Sequence, residues 1–398
     1  MNVRPLTSMI VMLCAGFAQA VSVLGAVDWG QTIDPSTPPI LSAESAIVIE
    51  FETGRVLFEK DAQTARFPAS TTKILTTLLL LDYTNPKDKI VAPTDVQKVG
   101  ESSLHLMPGE SVSADDMAYA MMLRSANDAC YAVAKHVSDS VSTFADRMNE
   151  RANKLGCLNS HFTNPNGLHD PMHYTCATDL ALIARAAMTD ARFRKIVNTK
   201  TRTIVRSTKS KDTLLTSRNK LLWMDPTTDG IKTGYTKPAG HCFVGSAMRH
   251  GMRVITVVLK SESWKEDTSR LTNWAFDNFE LRPVQPSTED GLTVDGQSVS
   301  FIPAKSISAP VAVLKKDELD WKFAPKAEKL PIGKGEVVGT FALMSKNKVI
   351  ANVDAVATSD VKALALREPS GPNYAIVGTL ALSLVAAMGY AAKSLARL

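Results

Sequence analysis

Residues 67–81 read FPASTTKILTTLLLL, in which a proline, a serine and a lysine precede a long apolar run. The apolar residues after Pro68 predict a buried helix from Thr72 to Leu81. Ser70 and Lys73 lie three residues apart at its start, so both side chains share one face, and Ser70 meets the free N–H groups of the first turn. A lysine can activate a serine once burial and other cations lower its pKa. In the simpler interpretation, Ser70 only caps the helix.

Two further short motifs carry residues that fit such a site. Ser125-Ala-Asn127 falls between two predicted helices and offers a hydroxyl that can relay a proton and an amide that can bind a peptide. Lys232-Thr233-Gly234 lies on a predicted strand, where the lysine and the hydroxyl can meet an anionic group and the glycine lets an extended ligand lie close to the backbone. Either motif alone is weak, and their value lies in occurring together.

The surrounding pattern predicts an α+β domain. Ser45–Phe51 with Arg55–Glu59 and Cys242–Met248 with Met252–Leu259 have the alternation and central glycines of two hairpins. The residues between the hairpins have helical spacing over Thr72–Leu81, Ser113–Leu123, Asp128–Val137, Val141–Leu155 and Ala177–Met188, and a last helix presents Leu271, Trp274, Ala275 and Phe279. We therefore expect an antiparallel sheet, with strands from both ends of residues 27–283 and an inserted helical region.

The residue pattern changes from helical spacing to short β-rich runs after Pro283. Short β-rich runs separated by Gly, Pro and Lys-Asn turns extend from Thr293 to about Val361, without helical spacing. We predict a small all-β domain over residues 284–368. Its expected task is to hold the first domain away from a membrane or to dock a partner, because it contains no catalytic combination of residues.

The N-terminal residues 1–26 have the form of a secretory signal peptide. An apolar core from Met9 to Phe17 precedes Ala18-Gln19-Ala20, a small-x-small sequence suited to cleavage after residue 20, and cleavage after Ala26 is an alternative. A second interpretation is an uncleaved anchor, since the uncharged stretch continues to Val27.

The C-terminal residues 369–398 predict a membrane anchor. Tyr374 to Ala392 is mainly apolar, and a helix of this length spans about 28 Å, close to the thickness of a bilayer core. Lys393 and Arg397 would stay in the cytoplasm, which places the folded domains on the periplasmic or extracytoplasmic face of the inner (cytoplasmic) membrane. The alternative is a helix lying in the interface, although such helices need a charged face.

Composition and charge argue against nucleic-acid-binding and metal-binding proteins. The chain has 398 residues, and 45 Lys plus Arg against 40 Asp plus Glu give a net charge of +5, scattered rather than gathered into a stripe. Nucleic acid is therefore not an expected partner. The five cysteines have no Cys-x-x-Cys spacing, and we expect neither a metal nor a cofactor. Cys130 and Cys242 are predicted to be buried thiols.

Ser-x-x-Lys, Ser-Asp-Asn and Lys-Thr-Gly are together the signature of class A β-lactamases and penicillin-binding proteins. The three motifs of this chain resemble that signature in the same order, with Ser125-Ala-Asn127 as the middle motif. Residues 1–280 resemble the serine-type D-alanyl-D-alanine carboxypeptidases, the low-molecular-mass penicillin-binding protein family. Six segments carry the resemblance: Phe67–Ile74, Gly100–Gly109, Ser125–Ala129, Phe162–Asp170, Arg218–Trp223 and Asp229–Thr236. The β-rich stretch and the C-terminal segment also resemble the second domain and anchor of that family.

The resemblance implies a set of catalytic roles. Ser70 would form the acyl-enzyme, Lys73 would be its general base, and Ser125 would relay a proton to the leaving D-alanine. The backbone N–H groups of Ser70 and Tyr235 would form the oxyanion hole.

The same resemblance implies how substrate is bound. Asn127 would hold the substrate amide, and Gly234 would let the peptide approach the strand. Lys232 would keep Lys73 deprotonated and attract the terminal carboxylate, with Thr233 and Arg218 binding it directly. Arg218 could instead form a surface salt bridge, because the segment from Trp223 to Gly230 is shorter than in similar proteins.

The implied reaction is hydrolysis of the terminal D-Ala-D-Ala bond of peptidoglycan pentapeptides, with β-lactams as covalent inhibitors and no cofactor. One rival is a β-lactamase, whose Glu-x-x-Leu-Asn segment is absent after Ser125. The other is a non-catalytic β-lactam sensor or wall-binding module, which would stay acylated. The histidines, including His173 and His241, are expected to be structural or solvent-facing.

Overall fold

The computed structural model describes residues 37–284, 286, 292–313, 319–345 and 348–363. The helices are α1 Lys73–Tyr83, α2 Ala114–Tyr119, α3 Asn127–Ser138, α4 Val141–Lys154, α5 Ala177–Thr189, α6 Ala191–Val197, α7 Leu221–Met224 and α8 Trp264–Asn278. The strands are β1 Ser45–Glu50, β2 Val56–Lys60, β3 Lys89–Val91, β4 Ser111–Ser113, β5 Thr201–Thr203, β6 Leu214–Thr216, β7 Thr228–Thr236, β8 Gly240–Arg249, β9 Met252–Ser261, β10 Phe279–Val284, β11 Leu292–Val294, β12 Gln297–Val299, β13 Phe301–Pro303, β14 Ile307–Ala312, β15 Leu319–Pro325, β16 Val337–Ser345 and β17 Lys348–Ala357.

The main sheet joins the two ends of the first domain. Its five strands lie in the order β2-β1-β9-β8-β7, and each neighbouring pair is antiparallel. Both predicted hairpins are confirmed. Their turns contain Gly54 at φ 73° and the pair His250 and Gly251 at φ 48° and 82°, which is the left-handed region that such turns require.

The sheet is covered on both faces, which explains why every residue of β1 is buried. Ile47 packs into the core formed with the helical region, together with Leu75 of α1. Its neighbour Val48 points to the opposite face, where Leu271 of α8 covers the sheet. This alternation is the usual period of two of a strand. The predicted α+β arrangement is therefore confirmed.

The helical region is inserted between β2 and β7 and has α1 near its centre. Every residue of α1 from Lys73 to Leu81 is buried, as is typical of a helix enclosed on all sides. The predicted helix Ser113–Leu123 differs from the structure, where α2 ends at Tyr119 and a π-helical turn follows over Ala120–Arg124. Phe279, predicted on the last helix, instead begins β10.

The residues after Val284 are β-rich, as predicted. β10 pairs with β14, β11 pairs with β12, and a further sheet has the order β13-β17-β16-β15. The described residues fall into two compact units: the first contains residues 37–284 with Lys305–Ala324 and Phe341–Val353, and the second contains residues 292–304, Pro325–Thr340 and residues 354–363. The proposed boundaries at 283 and 368 stay predictions.

Both predicted targeting segments, 1–26 and 369–398, lie outside the described residues. Within the described part of the chain, no helix is both long enough and apolar enough to span a bilayer.

Candidate active site

Ser70 lies on a short 3-10 turn, Ala69–Thr72, that leads directly into α1. The turn is fixed locally, because the Thr71 hydroxyl donates to the Pro68 carbonyl over 2.7 Å. Ala69 has φ 48°, a conformation that side-chain-bearing residues rarely adopt and that is often found at functional sites. The prediction that Ser70 stands at the start of the helix is confirmed.

Lys73 is the first residue of α1, and its side chain is completely buried. Its Nζ contacts three oxygens: Ser70 Oγ at 3.0 Å, Asn127 Oδ1 at 2.7 Å and the Asn166 carbonyl at 2.5 Å. The sequence motif thus places an amine within hydrogen-bond reach of a hydroxyl. This is the geometry that transfer of the Ser70 proton to Lys73 needs.

The pKa of Lys73 is about 8, well below the ordinary lysine value of 10.5. Burial is the largest cause; the Cys130 thiol opposes the shift, the positive charge of Arg218 supports it, and the Asp128 carboxylate opposes it. A lysine with this pKa has a substantial neutral fraction at physiological pH and can accept a proton.

Ser125 and Asn127 lie where the π-helical turn meets α3. Ser125 has φ 67°, so the backbone turns sharply there, and such irregular turns are frequent at functional sites. The Asn127 amide donates to the Gly100 carbonyl over 3.0 Å while its oxygen accepts from Lys73. Asn127 is therefore held on both sides, with its amide orientation set by its partners.

Lys232, Thr233 and Gly234 lie on β7, the strand at one edge of the main sheet. A Cβ added at Gly234 would lie 3.0 Å from both the Pro68 carbonyl oxygen and the Ser70 nitrogen. The glycine therefore lets β7 pack directly against the serine turn. This differs from the reason inferred from the sequence, which was space for an extended ligand.

Lys232 is buried, and its Nζ donates to the Thr233 carbonyl over 2.9 Å. Burial is the main cause that lowers its pKa well below the ordinary value, and the positive charges of Lys73 and Arg218 lower it further. Lys73 thus disfavours the protonation of Lys232, and both buried lysines lie beside one site. An anionic group bound there would favour the charged form of one of them.

Arg218 also reaches the site. Its backbone N–H donates to the Leu123 carbonyl over 3.1 Å, and its Nη1 donates to Ser102 Oγ over 2.6 Å. Among the described residues Arg218 makes no ion pair within 4 Å; burial lowers its pKa, the charge of Arg124 lowers it further, and the Glu101 carboxylate opposes the shift. A guanidinium that is held by a hydroxyl rather than by an ion pair is available to an anionic ligand.

These residues border one open cleft of about 400 Å³. The predicted residues that line it are Ser70, Ser125, Asn127, Arg218, Thr233, Gly234 and Tyr235. Lys73 and Lys232 are buried beneath it, and Lys73 reaches it through Ser70. The structure thus brings all nine predicted residues together.

Other lining residues were not predicted from the sequence: Glu101, Ser102, Asn166, Gly167, Leu168, Thr236, His241 and Trp264. One end of the cleft is aromatic, with the Tyr235 and His241 rings 4.7 Å apart and Trp264 4.7 Å from the ring of Phe243. Asn166 acts through its carbonyl, so its side chain gave no signal. Cys130 and Cys242 are buried free thiols, as predicted.

Two family models match the chain. The model described as D-alanyl-D-alanine carboxypeptidase matches residues 32–263, and the model of the C-terminal domain of penicillin-binding protein 5 matches residues 287–363. The chain is 32% identical over 336 residues to D-alanyl-D-alanine carboxypeptidase DacF of Bacillus subtilis, covering 80% of this chain and 86% of the relative. It is 30% identical over 334 residues to DacC of Escherichia coli, covering 78% and 82%.

Solved structures give the same result. Penicillin-binding protein 5 of Haemophilus influenzae superposes with a TM-score of 0.70 at 27% identity, over 83% of this chain and 100% of that chain. A variant of a Streptomyces DD-transpeptidase superposes with a TM-score of 0.57 at 32% identity, over 60% of this chain and 100% of that chain.

Proposed function

This chain belongs to the D-alanyl-D-alanine carboxypeptidase family, and from that premise we propose that Ser70 attacks the terminal peptide bond of the substrate with Lys73 as its base. The enzyme is a serine-type hydrolase that trims peptidoglycan stem peptides, and β-lactam binding is expected of this family. The observation that carries the residue assignment is the 3.0 Å contact between Lys73 Nζ and Ser70 Oγ, made by a buried lysine whose pKa is about 8.

In the acylation step, neutral Lys73 takes the Ser70 proton as Oγ bonds to the substrate carbonyl carbon. The negative charge that develops on the carbonyl oxygen is bound by the N–H groups of Ser70 and Tyr235. Ser125 relays the proton that Lys73 received to the nitrogen of the departing D-alanine, so the carbon–nitrogen bond breaks, Lys73 is neutral again and an ester remains on Ser70. Asn127 fixes the amide of the acyl part.

The substrate carboxylate is bound by Lys232, Thr233 and Arg218. In the structure the Lys232 amine donates to the Thr233 carbonyl and the Arg218 guanidinium donates to the Ser102 hydroxyl, and a carboxylate can replace or join these neutral acceptors. A bound carboxylate favours the charged form of Lys232, and that charge in turn keeps Lys73 neutral. Binding thereby prepares the base for the reaction.

Deacylation differs between the two kinds of substrate. D-alanine leaves after acylation and clears the cleft for water, which hydrolyses the ester. An opened lactam stays tethered and blocks the approach of water. We therefore expect fast release of D-alanine and slow turnover of penicillin.

The first test is Ser70→Ala, compared with Ser210→Ala on the loop between β5 and β6. Ser70→Ala should abolish covalent labelling by a fluorescent penicillin and the release of D-alanine, with the unfolding transition unchanged. Labelling that persists in Ser70→Ala removes Ser70 from the mechanism. In the unmodified enzyme, rapid penicillin turnover would favour a β-lactamase, and a permanent penicillin adduct without D-alanine release would favour a sensor.

The second test asks whether Lys73 acts as a general base or only as a positive charge. Lys73→Arg keeps the positive charge but cannot release its proton at working pH, so acylation should be lost. Turnover near that of the wild type would show that Lys73 is not the base.

We also propose that the folded domains lie on the periplasmic or extracytoplasmic face of the inner (cytoplasmic) membrane, anchored by the C-terminal residues 369–398. The apolar N-terminal and C-terminal segments predicted from the sequence support this proposal. Deleting residues from Tyr374 onward should release active enzyme into the soluble extracytoplasmic fraction. Sedimentation of a correctly processed truncated protein with membranes would refute the C-terminal anchor.

A further inference from the structure

His173 forms a buried link between two segments that meet beneath the cleft. Only 2% of the residue is exposed. The Thr163 backbone N–H donates to its Nδ1 over 3.0 Å, so Nδ1 carries a lone pair and the ring proton is on Nε2. Nε2 then donates to the Thr72 hydroxyl over 2.9 Å. The partners fix one neutral tautomer of the ring.

The hydrogen bonds continue into the serine turn. The Thr72 hydroxyl donates to the Ala69 carbonyl over 2.9 Å. Thr72 lies between Ser70 and Lys73 in the sequence, and Ala69 immediately precedes Ser70 with its φ of 48°. The conformation that presents Ser70 is thus held by a hydroxyl that His173 orients.

The other end of the link is the loop of residues 163–168, which we call loop 163–168. Its Asn166 carbonyl accepts from Lys73 Nζ over 2.5 Å, and its Pro165 carbonyl accepts from the Thr76 hydroxyl over 2.6 Å. A Cβ added at Gly167 would lie 1.9 Å from the Ala69 carbonyl oxygen. Loop 163–168 therefore packs against the serine turn without spare space.

We propose that His173 is a positioning residue that clamps loop 163–168 onto the serine turn and so keeps the Asn166 carbonyl on Lys73. The proposal rests on the proposed function of Lys73 as the base. His173 would thus affect acylation indirectly, by fixing the position and the burial of the Lys73 amine. It would not contact the substrate.

The clamp requires an uncharged ring. A protonated imidazole would point a second N–H at the Thr163 N–H, and the link would open. Burial is the main cause that lowers the pKa of His173 to about 4; Asp170 opposes this shift, and the charges of His161 and Lys73 support it. The ring is therefore neutral throughout the pH range in which Lys73 titrates.

The test compares His173→Leu with His173→Gln, and uses Phe193→Leu in the same core as a control for packing alone. The rate of acylation by a fluorescent penicillin is measured from pH 5.5 to 10 on folded, full-length protein. Leu fills the site without hydrogen bonds, whereas Gln can accept from Thr163 and donate to Thr72. We expect His173→Leu to slow acylation by about 10²-fold.

The diagnostic readout is the pH profile. Loosening of loop 163–168 lets water reach Lys73 and raises its pKa, so the acid limb of the profile should move to higher pH in His173→Leu. His173→Gln should keep the limb in place and the rate within about tenfold, the cost of roughly one imperfect hydrogen bond. Phe193→Leu should leave the limb unmoved.

An unmoved limb in His173→Leu would overturn the proposal, as would equal behaviour of the Leu and Gln variants. If His173→Leu does not fold, Thr72→Val and Thr72→Ser replace it, and only Thr72→Val should move the limb. A wild-type profile without an acid limb would instead refute Lys73 as the base, so the two failures are distinguishable.

Discussion

Two loops border the cleft, and they are held by opposite means. Residues 100–110, called loop 100–110, are held by charge: the Asp128 carboxylate accepts from Ser103 Oγ at 2.7 Å and from the Leu104 and Leu106 nitrogens at 2.8 and 2.9 Å. At its end Glu110 forms a buried, bidentate ion pair with Arg206, with distances of 2.6 and 2.8 Å. Loop 163–168 is held by a neutral imidazole, hydroxyls and amides.

The difference follows from how close each loop comes to the catalytic amine. Loop 163–168 contacts Lys73 directly through the Asn166 carbonyl, whereas loop 100–110 is connected to Lys73 through Asn127, whose side-chain amide donates to the Gly100 carbonyl. A carboxylate raises the pKa of a nearby lysine, as Asp128 already does for Lys73. Neutral groups can fix a loop beside the base without making it keep its proton.

The largest predicted effect comes from a pair of glycine variants, one in each loop. Gly167→Ala places a Cβ 1.9 Å from the Ala69 carbonyl at φ 81°, whereas Gly109→Ala at φ 76° meets nothing within 4 Å. Gly167→Ala should destabilise the protein by more than about 4 kcal/mol and abolish penicillin labelling. Gly109→Ala should cost only about 1 kcal/mol, the strain of its φ.

Urea unfolding and labelling measure both effects. Equal losses in the two variants would show that backbone conformation decides the outcome, and the close packing of loop 163–168 against the serine turn would then carry no weight.

The next effect tests how loop 100–110 is held. The side chains of Arg206 and Glu110 are 1% and 0% exposed. Arg206→Met therefore leaves a buried carboxylate without its cation and should cost about 3–5 kcal/mol in unfolding free energy. The double variant Arg206→Met, Glu110→Leu should recover much of the loss. Lys154→Met, which removes an exposed ion pair on α4, is the control and should change nothing measurable.

A third prediction separates the loops by pH. The pKa of His173 is lowered from 6.5 to about 4. Its contribution to the free energy of unfolding is therefore fully present above pH 6.5 and is lost as the pH falls toward 4, a total loss of about 3 kcal/mol. Burial alone would raise the pKa of Glu110, but Arg206 lowers it below 4.5, so its contribution is lost only below that pH. Loop 163–168 should therefore loosen first on acidification.

Hydrogen exchange of the two loops between pH 7 and 4 checks the order. His173→Gln should flatten the pH dependence of stability in this range, while Glu110→Gln should not. Simultaneous loosening of both loops would contradict the separation.

The residues of the site could be predicted from the sequence where a side chain, rather than the backbone, carries the functional group. Ser70, Lys73, Ser125 and Lys232 are explicit residue types, and periodicity places them at a helix start, a turn and a strand. Asn166 could not be found in this way, because a backbone carbonyl leaves no residue signature.

His173 shows a second limit of the sequence. The sequence predicts a structural or solvent-facing histidine, and the buried, hydrogen-bonded ring fits the first alternative. Its partners could not be predicted, because they lie 10 and 101 residues away and nothing local points to them. The fold had similar limits. The hairpins followed from alternation and turn residues, but the pairing of β10 with β14 did not, because distant strands carry no local sign of their partner.

The smallest effect concerns the hydrogen bond between Ser102 of loop 100–110 and Arg218 at the carboxylate-binding end of the cleft. Ser102→Ala removes the hydroxyl that accepts from Arg218 Nη1 over 2.6 Å, while Asp128 and the Glu110–Arg206 pair still hold the loop. Loss of one net hydrogen bond, about 1 kcal/mol, should raise KM for a D-alanyl-D-alanine peptide about fivefold and leave kcat unchanged. Arg218→Ala, which removes the guanidinium itself, should raise KM more. If Ser102→Ala instead lowers kcat at constant KM, loop 100–110 acts on the Ser70 chemistry as loop 163–168 does, and the contrast between the two loops fails.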